Sequence, residues 1–444
     1  MAATRLPAAL QTGINMPESR YPLRCCVLVM CAALYNSAQA TEDPDLKALM
    51  LADQAPKTVE QPSNWRSFIE AGVGRSLLRS TGSDQNNQRL SVDLQYDNSF
   101  APGWRVMLSD RLDMSWPPQS GDQRSINTIK EAYLSWQASS DQLLDAGRIN
   151  VRNGVALGYN PTDFFRSSAL RSVVSVDPAS LKENRQGSIM LRGQQLWDSG
   201  SLTALFSPRI SDQANNAAFN PDVGATNHEN RWMLALSQKL SADITPQWLL
   251  FKSEQQPVQF GMNLTGLIND STVLFAEWAG GRSTSLLTQA YQQQGIPAQN
   301  DNAFRNRAAV GVSYTTTNKL TLTGELEYNG GALDAQQWDR LRNGPLPLYG
   351  VYRNAVQLAQ ESPTKRSAFV YASWQDALIN HLDLSAMTRY DMADASRMWW
   401  LEARYHLSHS EYALQWQRNS GNKLSDYGAA PKALSWQLLA RYYF

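Results

Sequence analysis

Beyond residue 65, apolar and polar positions alternate in short runs, most strictly in the second half of the chain. Within 319–328, Leu320, Leu322, Leu326 and Tyr328 share one parity, while Thr321, Thr323, Glu325 and Glu327 share the other. Within 381–390, Leu382, Leu384, Ala386 and Tyr390 oppose Asp383, Ser385 and Arg389. Trp399, Leu401, Ala403, Tyr405 and Leu407 oppose Glu402, Arg404 and His406 in the same way. The first half alternates less cleanly. Leu90, Val92, Leu94 and Tyr96 interleave with Ser91, Asp93, Gln95 and Asp97, but Asp110 falls on the apolar parity of 104–115. A period of two residues predicts strands with one apolar and one polar face. The Asp110 exception predicts a bulge or an interface position.

About 18 runs of this kind can be drawn, each close to the length that crosses a bilayer at a tilt. They are 66–78, 87–98, 104–115, 126–137, 142–150, 187–197, 200–207, 230–240, 246–254, 258–267, 271–280, 303–315, 319–328, 366–375, 381–391, 396–407, 411–418 and 434–444. Their connections segregate by length. Every second one is short, as at 138–141, 198–200, 269–270, 316–318 and 408–410. The alternate set holds the long polar pieces 151–186, 208–229, 281–302, 329–365 and 419–433. Tryptophans gather in or beside the runs, often near an end, as interfacial aromatics do. The last run places Leu434, Trp436, Leu438, Ala440, Tyr442 and Phe444 on one face and stops on that aromatic.

These features together resemble the bacterial outer-membrane proteins. The resemblance implies an all-β, transmembrane antiparallel barrel of about 18 strands, with short periplasmic turns and long extracellular loops. It implies Tyr442 and Phe444 as the signal read by the barrel-assembly machinery, and outer-membrane lipid and lipopolysaccharide as surroundings. Joining strands 9 and 10 across 254–258, or bending strand 5 into the loop that follows, would give about 16 strands instead.

The N-terminal end changes the picture of what is mature chain. Arg20 and Arg24 precede the apolar run Cys25–Leu34, and Ser37-Ala-Gln-Ala40 precedes an acidic stretch. That order predicts a signal peptide over 1–40, with Met16 as the more ordinary start. A polar, proline-bearing periplasmic leader follows over 41–65, where a periplasmic partner could dock, and the barrel occupies 66–444. All three cysteines lie in the signal segment. Leu28-Val-Met-Cys31 resembles a lipoprotein site, but Met30 is bulky where a small residue is required. The mature chain then has no thiol chemistry and no disulfide. Removing three of the 40 basic and one of the 40 acidic residues leaves it near neutral, which gives no nucleic-acid footprint. Mean hydropathy is −0.42, a value that alternating strands average out to.

Candidate chemistry is sparse. His228, His381, His406 and His409 form no metal spacing, no cofactor motif is present, and no nucleophile elbow or P-loop occurs. Glu402, Arg404 and His406 share one strand face without a nucleophile beside them, so catalysis is not expected. The outer-membrane phospholipase and the omptin protease are smaller barrels.

The connection after strand 5 carries more. It runs Gly147-Arg-Ile-Asn150 through Asn160-Pro-Thr-Asp-Phe-Phe-Arg166 to Gln186, and by parity it is the third extracellular loop. In general porins that loop folds into the lumen as the constriction. Phe164 and Phe165 are costly to leave in water, which argues for inward packing. Arg148, Arg152, Arg166 and Arg171 would then oppose Asp163, Asp177 and Glu183, with Glu325, Glu327, Arg389, Glu402 and Arg404 on the facing wall.

The Gly-Arg strand followed by Asn-Pro-x-Asp also resembles uncharacterised proteobacterial barrels and, more loosely, the alginate-export type. The latter implies an arginine-rich lumen for an anionic polysaccharide, whereas here Glu325, Glu327, Asp383 and Glu402 are mixed in. The expected function is passive passage of a hydrophilic solute, with 151–186 as constriction. The alternatives are a non-conducting barrel that anchors a trans-envelope assembly, and an export conduit for a polysaccharide or lipid.

Overall fold

A computed structural model describes residues 64–118, 123–241 and 244–444. The signal-peptide and leader expectations fall on residues 1–63, outside the described residues. The rest is a closed 18-stranded barrel in which each strand pairs antiparallel with its sequence neighbours and β1 (Trp65–Leu78) pairs with both β2 (Asp84–Ala101) and β18 (Lys432–Tyr443). At the seam Phe68 stands opposite Tyr443, and the Phe444 N–H donates to the Ser67 carbonyl at 3.1 Å. Strands 9 and 10 stay separate, as β9 (Gln247–Ser253) and β10 (Gln259–Asn269).

The alternation became two wall faces. Outside, large apolar side chains form a belt: Leu326 is 64% exposed, Val310 56% and Phe260 51%. Burying each is worth roughly 1.5 kcal/mol or more, so a belt of this extent belongs in hydrocarbon and not in water. At its edge beside the short turns Trp104 stacks on Trp136, with ring centroids 5.7 Å apart, and Tyr442 meets Phe444 edge-on at 5.1 Å. No helix among the described residues is long and apolar enough to cross a membrane, so the strands carry the crossing.

Asp110 keeps its outward position on β3 (Trp104–Trp116), where Asn127 Nδ2 donates to it at 2.9 Å. The irregularity lies opposite it. Ser109 pairs with Glu131 and Asp110 with Ile129, leaving Lys130 as the extra residue of β4 (Ser125–Ser139). This bulge turns Lys130 inward onto Asp93, at 2.7 and 3.0 Å.

β5 (Gln142–Ile149) is short because the chain leaves the wall there. Gly147 has φ +137°, and a Cβ at that position would lie 2.3 Å from the Ala132 carbonyl oxygen. β6 (Ser188–Trp197), β7 (Gly200–Ser207), β8 (Arg231–Gln238), β11 (Thr272–Ser283), β12 (Ala303–Thr315), β13 (Leu320–Asn329), β14 (Arg366–Trp374), β15 (Leu382–Asp391), β16 (Arg397–His406) and β17 (Ser410–Ser420) complete the wall. The long loops also contain helices that the alternation did not announce. These are α1 (Pro178–Glu183), α2 (Val223–Thr226), α3 (Leu286–Gln293), α4 (Ala335–Arg342) and α5 (Leu346–Ala359). A capping box between Asp334 and Gln337 starts α4, and Trp338, Tyr349, Tyr352 and Val356 pack α4 and α5 together with Leu333 and Ala290.

Candidate pore constriction

The loop between β5 and β6 lies inside the barrel, and its polar backbone explains how. It enters the lumen with unpaired N–H groups that must find acceptors. Two lumen carboxylates supply them. Glu277 on β11 accepts from the Ala156 N–H at 2.6 Å, from Asn160 Nδ2 at 2.9 Å and from Thr162 Oγ1 at 3.2 Å. Glu325 on β13 (Leu320–Asn329) accepts from the N–H groups of Leu157 at 2.6 Å and Gly158 at 2.8 Å. Loop carbonyls go to cations instead: Arg389 donates to Gly158 and Lys182 to Ala156, at 2.9 and 3.0 Å. The approach is close enough that a Cβ on Gly158 would sit 2.5 Å from Glu327 Oε1 and 2.6 Å from Phe369 Cγ.

Apolar anchors hold the other side. Phe164 stacks on Phe251 with centroids 4.6 Å apart, and Phe165 meets the same ring edge-on at 5.9 Å. Both rest on lumen-facing Met190, Leu205, Met233 and Leu249, an inner wall that is apolar because the loop covers it. That is why β8 reads as apolar on both faces.

Glu361, just past α5, ties the loop to the outer cap. It accepts from Tyr159 OH at 2.7 Å, Asn329 Nδ2 at 2.8 Å, Arg307 Nη1 at 3.1 Å and also from Arg166. Burial pushes its carboxyl up, but Arg166 and Arg307 outweigh this and hold it below the usual range. Asp163 is taken by Arg185 at 2.5 Å. Arg171 reaches the stretch of β4 beyond its pairing with β5, donating to the carbonyls of Asn127 (2.5 Å), Asn220 (2.6 Å) and Ala217 (3.0 Å). Arg148 falls on the parity of Leu144 and Ala146, is buried, and lies 3.4 Å from Gln186 Oε1. Arg152 forms no ion pair among the described residues and acts on Glu131 and Glu183 only at longer range. Glu327 accepts from Ser367 Oγ at 2.5 Å. Most of the loop residues singled out by sequence are therefore fasteners.

The open space lies elsewhere, between loop segment 174–184 and the wall of β1–β3 and β14–β18, where a cavity of about 210 Å³ remains. Charges of opposite sign alternate around this wall. Lys130 and Arg111 flank Asp93, with Arg111 also 3.0 Å from Asp113. Glu70 takes Arg89 and Arg441, each at 2.7 Å. Arg404 bridges Glu402 at 2.9 Å and Glu411 at 2.8 Å, and His406 sits between Asp383 and Glu411 at 3.1 and 3.3 Å. This accounts for the Glu402–Arg404–His406 trio as part of a charged wall. Glu70, Arg89, Arg111 and Arg441 were missed by sequence reasoning. Their signal was present, as polar residues on the inward parity of β1–β3 and β18.

No protein-family model and no curated protein matches the chain. Solved structures do. OccAB1 of Acinetobacter baumannii superposes with a TM-score of 0.55 at 11% identity, over 87% of this chain and 99% of that one. The fold is that of the bacterial outer-membrane porins. OccK2 (OpdF) of Pseudomonas aeruginosa, solved in complex with glucuronate, gives 0.52 at 11% identity over 86% and 98% of the two chains. The outer membrane protein OpdK of the same organism gives 0.52 at 9%, over the same shares. At these identities the likeness carries the porin architecture, a closed antiparallel barrel.

Proposed function

We propose that the protein is a porin-like channel through which a hydrophilic solute passes passively, with 151–186 as the constriction. The observation that carries this is the division of the lumen. Glu277, Glu325 and the Phe251 platform pin the loop to one side, and a cavity walled by charged side chains remains on the other. A structural anchor has no need of an open, ion-paired inner wall. Charged groups in a narrow aqueous passage set what a channel admits. The glucuronate held by OccK2 supports a small polar solute as the cargo class for this architecture.

Purified protein in a planar lipid bilayer should give discrete current steps. Deleting 156–163, the pinned stretch, should enlarge them by about twofold or more. No steps from either protein, with strand content intact by circular dichroism, would leave the anchoring role as the reading.

A further inference from the structure

We infer that the passage prefers cations, and that Glu183 and Asp177 on the lumen loop set that preference. This rests on the channel reading and names the class of solute for it. The argument is one of charge left over. The cavity is lined by five carboxylates and four guanidiniums. None of the guanidiniums is free to meet an anion. Arg89 and Arg441 hold the two oxygens of Glu70, Arg111 lies against Asp113 and Asp93, and Arg404 spans Glu402 and Glu411. The wall carboxylates that hold them are spent in turn, and Asp383 is taken by His406.

Two loop carboxylates remain. Glu183, at the end of α1, is exposed to the cavity and makes no hydrogen bond or ion pair among the described residues. The positive charges that act on it, Lys130, Arg152, Arg441 and Arg111, do so at longer range, and all but Arg152 are bound to wall carboxylates. Asp177 caps α1 through the Ser180 N–H at 2.9 Å and meets Tyr371 OH at 3.4 Å, again with no basic partner among the described residues. A cavity with low-dielectric walls focuses the field of such unpaired carboxylates. An entering anion would have to displace carboxylates from paired guanidiniums. A potassium ion, or a solute bearing a primary ammonium, meets carboxylate oxygens with vacant lone pairs. The passage therefore suits inorganic cations and small ammonium-bearing solutes better than carboxylates.

The test uses the full-length protein in a planar bilayer under a KCl gradient, where the reversal potential gives the ratio of potassium to chloride permeability. The wild type should show a ratio above about 2. Glu183→Gln should bring it towards about 1, and Asp177→Asn with Glu183→Gln should bring it to 1 or below. Asn caps a helix as well as Asp, so the double variant keeps α1. Step size should change little, whereas a purely structural role would alter step size or assembly without moving the ratio. A wild-type ratio at or below 1, or a ratio unmoved in the double variant, overturns the inference and leaves the channel standing. Absence of any step in the wild type instead overturns the channel reading beneath it.

Discussion

Two walls of this barrel use the same residue types for opposite ends. On β11 and β13, Glu277 and Glu325 face the lumen, yet neither faces water, because each is filled by backbone N–H groups of the inserted loop. On β1, β16 and β18, Glu70, Glu402 and their arginine partners also face the lumen, and they line the open cavity. Strand parity fixes only that a carboxylate points inward. What it then does depends on where the loop lies. A carboxylate under the loop is an acceptor for orphaned donors, and one beside the cavity is a counter-ion.

The largest effect should come from breaking the first wall. Replacing Glu277 and Glu325 together by Ala removes the acceptors of three consecutive loop N–H groups, Ala156 to Gly158. Each buried donor left unsatisfied costs roughly 1–3 kcal/mol, enough in sum to lift the segment from the wall. Strand pairing does not use these side chains, so the barrel should persist. Single-channel conductance should rise by about twofold or more. An unchanged conductance would mean that the aromatic anchors alone hold the loop, and the contrast between the walls would lose its basis.

A smaller effect of a different kind is expected at the second wall. Glu70 is 2% exposed and serves Arg89, Arg441 and, at 3.7 Å, Arg111. Glu70→Gln leaves that group one negative charge short. Removing one partner of a buried ion cluster costs about 3–5 kcal/mol, visible as an earlier thermal unfolding of the barrel. It also frees guanidiniums toward the cavity, so the potassium-to-chloride ratio should fall. Glu277→Gln should leave that ratio where it is, because its charge meets the loop and not the solute. A common response of the two variants would erase the distinction.

Much of this was legible in the chain. The strand count, the segregation of short turns from long loops, and the terminal aromatic followed from parity and spacing alone. The insertion of 151–186 followed from two adjacent phenylalanines in a polar loop, and Phe251 is the surface they needed. Which residues line the passage was not legible. Arg166 and Arg171 look like pore charges in the sequence, but their partners are Glu361 and main-chain carbonyls of β4 and the following long loop, far away in the chain. The capping box at Asp334 was a local signal for α4 that a search for period-two alternation passes over. Lys130 illustrates a further limit. One inserted residue changes which side chains of β4 face inward, and no local composition marks it.

Acid titration offers the finest comparison, between the two leftover carboxylates themselves. Burial pushes the Asp177 carboxyl up to about 6; Glu402 adds to the rise, while the Ser180 N–H, Arg404 and Tyr371 oppose it. The low-dielectric protein around Glu183 acts in the same direction, but Lys130, Arg152, Arg441 and Arg111 outweigh it and leave that carboxyl below its ordinary range. The sign follows directly. Above about pH 6 both groups are charged, and below it Asp177 becomes neutral while Glu183 does not. Lowering the pH from about 7.5 to about 5 should therefore reduce the potassium-to-chloride ratio by less than about twofold, with a midpoint near the Asp177 value. Asp177→Asn should start at the lower ratio and show no step over that interval, while Glu183→Gln should keep the step. If the step survives in Asp177→Asn, the proton is going to the wall, and the wall's acids are less firmly spent on their arginines than their distances imply.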